Sequence, residues 1–405
     1  MCLHPTEKLR EGNESMQHVD ERTVRLTELA SLAALDPEGR YLAVVHGHVA
    51  RRWGHAACVT VLDARSGGVV TELPAAGVVY DLRWISPSLL VVAHDLRGLH
   101  ACLSTHELPD GGVVGRRVVP GSTTNGGALE TSADGARMLA TFRGAGCHYQ
   151  APLLLSLPSL DLIANLRPFG ASAHSHGLTI TLHPDGRDVC GGLPLGDGVG
   201  LAVASATNLS ACRVIAREKY QRHPVWAGAH RVAFLEVSWP EWRSEVVVID
   251  TDLGVVLGRR QLPPEERPIL LDTPSPDHSR ALLLWESDNG DVPTRHVDLL
   301  RFDDLARVPL SAARTSGILR AASARWVLGG RAVVLASGPR TLDLFDHEGA
   351  PLARYVLRPP SSTARITTLN AHPMARRVCV GWEDGRHAVR RVFDVVDIST
   401  TSPLA

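Results

Sequence analysis

The side chains that could do chemistry come in short, separate groups. His46-Gly47-His48 and His174-Ser175-His176 each set two imidazoles one residue apart. In an extended strand such positions point to the same side, so either pair, joined by a carboxylate or a third His, could hold a divalent metal ion. No His-Glu-x-x-His segment and no paired-Cys motif accompanies them, and solvated or core-edge His is the competing reading. Asp288-Asn289-Gly290-Asp291 places oxygen ligands around a glycine, which suits calcium, but the bidentate Glu and the loop length are missing. A plain Asn-Gly turn accounts for it. The glycine-rich piece at 196–200 is followed by no Lys-Ser/Thr, so it is no phosphate loop. Cys147 and His148 are neighbours, and neighbours in a strand point apart, which makes a poor nucleophile–base pair. No Gly-x-Ser-x-Gly elbow occurs. These spacings nominate no reaction and no cofactor.

The elements that must carry these groups are short strands bounded by turns. The stretch 29–73 resolves into four apolar pieces separated by Pro37-Glu38-Gly39, a His- and Arg-rich loop, and Ser66-Gly67-Gly68. Its second piece opens as Arg40-Tyr41-Leu42-Ala43-Val44, and that opening returns at Arg137, Arg187, Arg231, Arg280, Arg331 and Arg376, with Ser88-Leu89-Leu90 filling the one gap. The copies lie about 45–50 residues apart, a period that with four strands per copy marks a β-propeller blade. One small sheet cannot bury both of its faces, so blades stack around an axis and cover one another.

The turns Ser132-Ala133-Asp134-Gly135 and His183-Pro184-Asp185-Gly186, with third-strand endings such as Val248-Ile249-Asp250, resemble those of WD40-like and related bacterial propellers. The Trp-Asp dipeptide of true WD40 repeats does not occur, so the resemblance is one of architecture. It implies an all-β propeller, and the eight copies argue for eight four-stranded blades, with seven blades as the alternative. The last copy lacks a fourth strand, and Thr23-Val24-Arg25-Leu26-Thr27-Glu28-Leu29 has no blade of its own. An N-terminal strand that closes the ring resolves both facts and leaves no open edge. The expected organisation is a polar, unstructured tail at 1–21, one propeller domain at 22–398 and a short tail at 399–405. The charged piece 216–222 reads as a loop.

In such a ring the turns joining strands one to two and three to four share one face. The longer loops joining strands two to three, and each blade to the next, share the other. The short turns are built of Asp, Gly and Pro, whereas the long loops hold Trp, His and Arg, and binding residues concentrate on loops held by a rigid scaffold. The expected docking set on the loop face is Arg51, Arg52, Trp53, Trp239, Trp242, Arg243, Trp285, Glu286, Asp288, Trp382, Glu383 and Asp384. Trp and Arg dominate binding hot spots, and the acids would pair with basic groups of a protein partner. The expected function is therefore a non-enzymatic protein-interaction scaffold. The alternative is a propeller lyase or hydrolase whose acid–base residues, His46, His48, His94, His148, His174 and His176, converge in the central funnel.

Composition narrows the partners. Net charge is −1, with 42 basic and 43 acidic residues, so no basic stripe for nucleic acid is expected. Seven cysteines without a Cys-x-x-Cys pair point to reduced thiols. The charged N-terminus lacks the apolar run of a signal peptide, and no apolar stretch is long enough to span a membrane. A cytoplasmic protein is the expectation.

Overall fold

The turn between the first two strands of a blade explains the recurring signature. In the computed structural model Asp36 is fully buried, and its Oδ1 accepts the backbone N–H groups of Arg40 at 2.5 Å and Tyr41 at 2.8 Å. Ser132 and Ser275 hold the same place with a hydroxyl that accepts N–H from Arg137 and Arg280, each at 3.0 Å. The turn then needs a left-handed residue, supplied by Gly39, Gly135 and Gly186 at φ 69°, 68° and 73°. The Arg that follows reaches sideways. Arg137 donates to the Gly186 carbonyl of the next blade and Arg377 to the Gly39 carbonyl, both at 2.8 Å. Arg231 pairs with Asp303, and Arg280 with Glu348, again one blade on. In these four blades the Arg is a staple between neighbours.

The structure describes residues 17–18, 24–25, 30–46, 57–75, 77–96, 100–123, 128–144, 151–169, 180–195, 198–217, 220–238, 243–287, 294–311, 324–383 and 391–398. These form eight antiparallel four-stranded blades in a ring. Blade one comprises Ala30–Leu35, Tyr41–His46, Ala57–Asp63 and Val69–Ala75. Blade eight takes Arg365–Asn370, Arg377–Glu383 and Arg391–Asp397 from the C-terminus and Val24–Arg25 from the N-terminus. Val24 pairs with Val395 and Arg25 with Asp394, which closes the ring as the sequence implies. An eight-bladed propeller is the fold.

Burial follows from the stacking. One apolar cluster fills each gap between neighbouring blades, from Val61 against Leu90 between blades one and two to Leu42 against Phe393 between eight and one. Trp326, Trp382 and Tyr355 are its largest fully buried wedges. Each such side chain withdraws 150–250 Å² from water, which lets a chain poor in aromatics use Val, Leu and Ala for the rest.

Two local expectations are corrected. Tyr220–Trp226 is the innermost strand of blade five, so the segment read as a loop at 216–222 is partly strand. A bulge between Arg222 and Val225, with His223 at φ 51°, breaks the alternation that would have revealed it. Gln17–His18, inside the expected tail, run parallel to the outer strand of blade seven, opposite Tyr355 and Val356.

Candidate functional site

The turns between strands one and two of blades three, four, five and six surround an open concavity of about 560 Å³. Three carboxylates stand around it, each fixed by its own turn. Asp134 Oδ1 accepts the Ser132 hydroxyl at 2.6 Å and the Ala136 N–H at 2.9 Å. Asp185 Oδ1 accepts the Arg187 N–H at 2.8 Å. Asp277 Oδ1 accepts the Ser275 hydroxyl at 2.5 Å and the Ser279 N–H at 3.1 Å. The Ser132 bond leads in holding Asp134 below the usual carboxylate range. Burial opposes ionisation of Asp185 and Asp277, but their turn hydrogen bonds outweigh it and both are also held low. All three are anions at neutral pH.

Two imidazoles join them. His183 is 7% exposed, and its Nδ1 lies 2.6 Å from Asp185 Oδ1. At that distance Nδ1 donates to the carboxylate, and the Asp185 N–H approaches the same nitrogen at 3.2 Å. His183 Nε2 is buried without a partner. His278 occupies the left-handed position that Gly holds in other turns, at φ 56°. Its Nδ1 donates to the Trp226 carbonyl at 3.2 Å, and burial pushes its pKa below the ordinary His value. The Trp226 ring meets His183 edge-on, with centroids 4.5 Å apart, and its indole N–H is likewise buried without a partner. Among the described residues Arg187 is the one guanidinium lining the concavity. Among the described residues no group of three His, Cys, Asp or Glu stands together as a metal site.

Around this polar centre lies an apolar rim. Val69, Val113, Leu162 and Leu352 are exposed where the outer strands of blades one, two, three and seven leave their turns. Blade five carries the densest group, with Leu253 74%, Val255 46%, Val256 44% and Leu257 49% exposed. Of the exposed large aliphatic side chains described, only Val118 and Val356 lie toward the other face. The outer strand of a blade is the least covered of the four, so the side chains at its start by the turn reach water.

The residues singled out from sequence fall elsewhere. Arg51, Arg52, Trp53, Trp239, Trp242, Asp288, Asp384, His48, His148, His174 and His176 lie outside the described residues. His46 ends the second strand of blade one, paired by its backbone with Ala30 and Cys58. Trp382 is no surface anchor: it is 1% exposed and donates its indole N–H to Asp394 at 2.8 Å. Trp285 is also committed to the blade, stacked on His296 at 3.9 Å and hydrogen-bonded to Asp298 at 3.0 Å. Glu286 pairs with Arg295 at 2.6 Å. Arg243 is exposed at the head of a third strand, and Glu383 is partly exposed at the end of a second. His94 is 4% exposed inside blade two, where burial lowers its pKa. The concavity went unread because its Asp-Gly turns look like punctuation. The available signal was His183 and His278 standing at turn positions that other copies fill with Asp, Ser or Gly.

No family model matches the chain, and no curated protein matches it in sequence. Solved structures do match in shape. A structure of Kuenenia stuttgartiensis hydrazine synthase covers 95% of this chain and 100% of its own, at 13% identity and TM-score 0.50. An uncharacterized protein of Listeria monocytogenes EGD-e covers 86% and 100%, at 9% identity and TM-score 0.52. A prolyl endopeptidase covers 89% of this chain and 55% of its own, at 11% identity and TM-score 0.54. The likeness is one of fold. Propellers host both enzymes and binding modules, so function rests on the site.

Proposed function

We propose that this chain is a protein-interaction scaffold without catalysis of its own, and that it docks a protein partner on the turn face. The observation that carries the reading is the apolar rim, above all Leu253, Val255, Val256 and Leu257 on blade five. A contiguous exposed group of aliphatic side chains marks an interaction surface on a soluble fold. Among the described residues the outer edge of the same strand is unpaired, and it offers main-chain donors and acceptors to an extended segment of the partner. The outer strand of blade seven carries such an addition within this molecule, from Gln17–His18. Support also comes from the concavity, whose carboxylates are fixed as anions by turn hydrogen bonds and hold charge rather than exchange protons.

The test compares wild type with a folded Leu253→Lys, Val255→Lys, Leu257→Lys variant. Proteins captured from cells by wild type are purified and their direct binding to both forms is measured. Each buried Leu or Val is worth roughly 1.5–3 kcal/mol, so the variant loses at least about 100-fold in affinity. Equal affinity for both forms refutes the rim. Loss caused instead by Arg243→Ala, on the opposite face, moves docking to the loops that the sequence singles out.

A further inference from the structure

The concavity presents acceptors and is short of donors. The His183 ring is more than nine-tenths buried, and its Nε2 is without a partner. With its Nδ1 proton given to the Trp226 carbonyl, His278 also offers Nε2 as an acceptor. The turn hydrogen bonds of Asp134 and Asp185 all fall on Oδ1, which leaves the second carboxylate oxygen of each to accept. Three fixed anions face one guanidinium, Arg187. Between these polar groups the lining is small and apolar, from Ala133, Pro184 and Ala229.

We infer that this concavity binds an alkylammonium group, the head of a lysine side chain or of a free diamine. An ammonium carries three donors and no acceptor, the complement of this lining. Its charge offsets the excess of carboxylates, and hydrogen bonds between ionised partners are the strong ones. The methylene stem packs on Ala133, Pro184 and Ala229, as such stems do against apolar surface. A transition-metal ion would also accept imidazole lone pairs, but it needs ligands converging at about 2 Å, and no described group of three acids, thiols or imidazoles stands together that way. An open volume of about 560 Å³ suits a larger organic cation.

The experiment titrates the full chain by calorimetry with N-acetyl-lysine methylamide, cadaverine and N-acetyl-norleucine methylamide, which keeps the stem and lacks the charge. Both amines bind, and the norleucine probe is weaker by about tenfold or more, the value of one charge-assisted hydrogen bond. Tighter lysine amide than cadaverine marks a side chain as the source; the reverse marks a free amine, and either supports the site. Asp185→Asn keeps the turn acceptor, removes the charge and weakens amine binding by about tenfold. Arg187→Gln removes the competing cation and tightens binding by about threefold, a gain that a misfolded variant cannot imitate. Equal binding of lysine and norleucine probes overturns the proposal, as does stoichiometric Zn²⁺ binding that the amines cannot displace. The Leu253, Val255 and Leu257 variant keeps its amine affinity, so failure of the rim reading leaves this one standing, and the converse holds.

Discussion

Arg307 opens the outer strand of blade six, and its replacement by Met is the sharpest test of what holds a blade together. Its side chain is 9% exposed, and it bridges Asp298, 3% exposed, and Glu266, 14% exposed. Nε and Nη2 both donate to Asp298 Oδ2, at 2.8 Å and 2.5 Å, while Nη1 donates to Glu266. The guanidinium also lies 5.1 Å from the centroid of the Trp285 ring, whose N–H shares the same Asp298 oxygen. Burial works against the charge on Arg307, but the two carboxylates outweigh it and hold its pKa above the ordinary value. An exposed pair of this kind would be worth about 0–1 kcal/mol. Here Arg307→Met leaves two carboxylates in the interior without their cation, a loss of roughly 3–5 kcal/mol. For a chain of this size that lowers the melting temperature by on the order of 4–6 °C. The assay is urea unfolding followed by tryptophan fluorescence and far-ultraviolet circular dichroism together. A companion Arg307→Met, Asp298→Leu variant recovers more than half of the loss, because apolar residues replace a buried pair at little cost. A single variant within 1 kcal/mol of wild type would refute the interior character of the network.

Two further perturbations test the turns and the packing between blades. His372 holds its pKa down at about 4, chiefly through burial and secondarily through Arg83, while its Nδ1 accepts the Met374 N–H at 3.3 Å. The unfolded chain takes up this proton near pH 6.5 and the folded chain resists it, so the contribution of His372 is intact above about pH 6.5 and is lost as the pH falls toward 4, by up to about 3 kcal/mol. His372→Gln flattens the urea midpoint over that window, and an unchanged pH profile would sink the assignment. Gly115 lies where blade two meets blade three, and a Cβ there would stand 2.2 Å from the Pro158 carbonyl oxygen and 2.6 Å from Thr105 Oγ1. Gly115→Ala therefore prises the blades apart and destabilises by about 2–3 kcal/mol; a midpoint equal to wild type shows that this contact is slack.

Much of the architecture was legible in the chain because its signals are local. A turn that begins with Asp36, Ser132 or Ser275 and needs a left-handed residue, Gly in the first two, writes its demands into consecutive residues. The Arg after it reaches the neighbouring blade, as Arg137 and Arg377 show. The unpaired N-terminal strand and the incomplete last copy foretold the closure at Val24 and Arg25. Tyr220–Trp226 escaped because a bulge and a left-handed His223 interrupt its period.

The site was far less legible. Trp285 and Trp382 sit in sequence beside loop residues and read as surface anchors, yet ring stacking on His296 and an indole bond to Asp394 draw them into the blades. Whether a side chain beside a loop faces water depends on which blade covers it. The sequence by itself determined the repeat, the turns and the closing strand, since hydrogen-bond geometry over a few residues dictates those. Tertiary structure alone decided which face gathers its chemistry. Curvature of the ring brings Asp134, His183, Asp185 and His278 from three blades around one concavity, and the absence of an outer neighbour leaves Leu253 and Leu257 in water. Both follow from how the blades sit against one another, and contacts between residues far apart in sequence leave no period for a single chain to show.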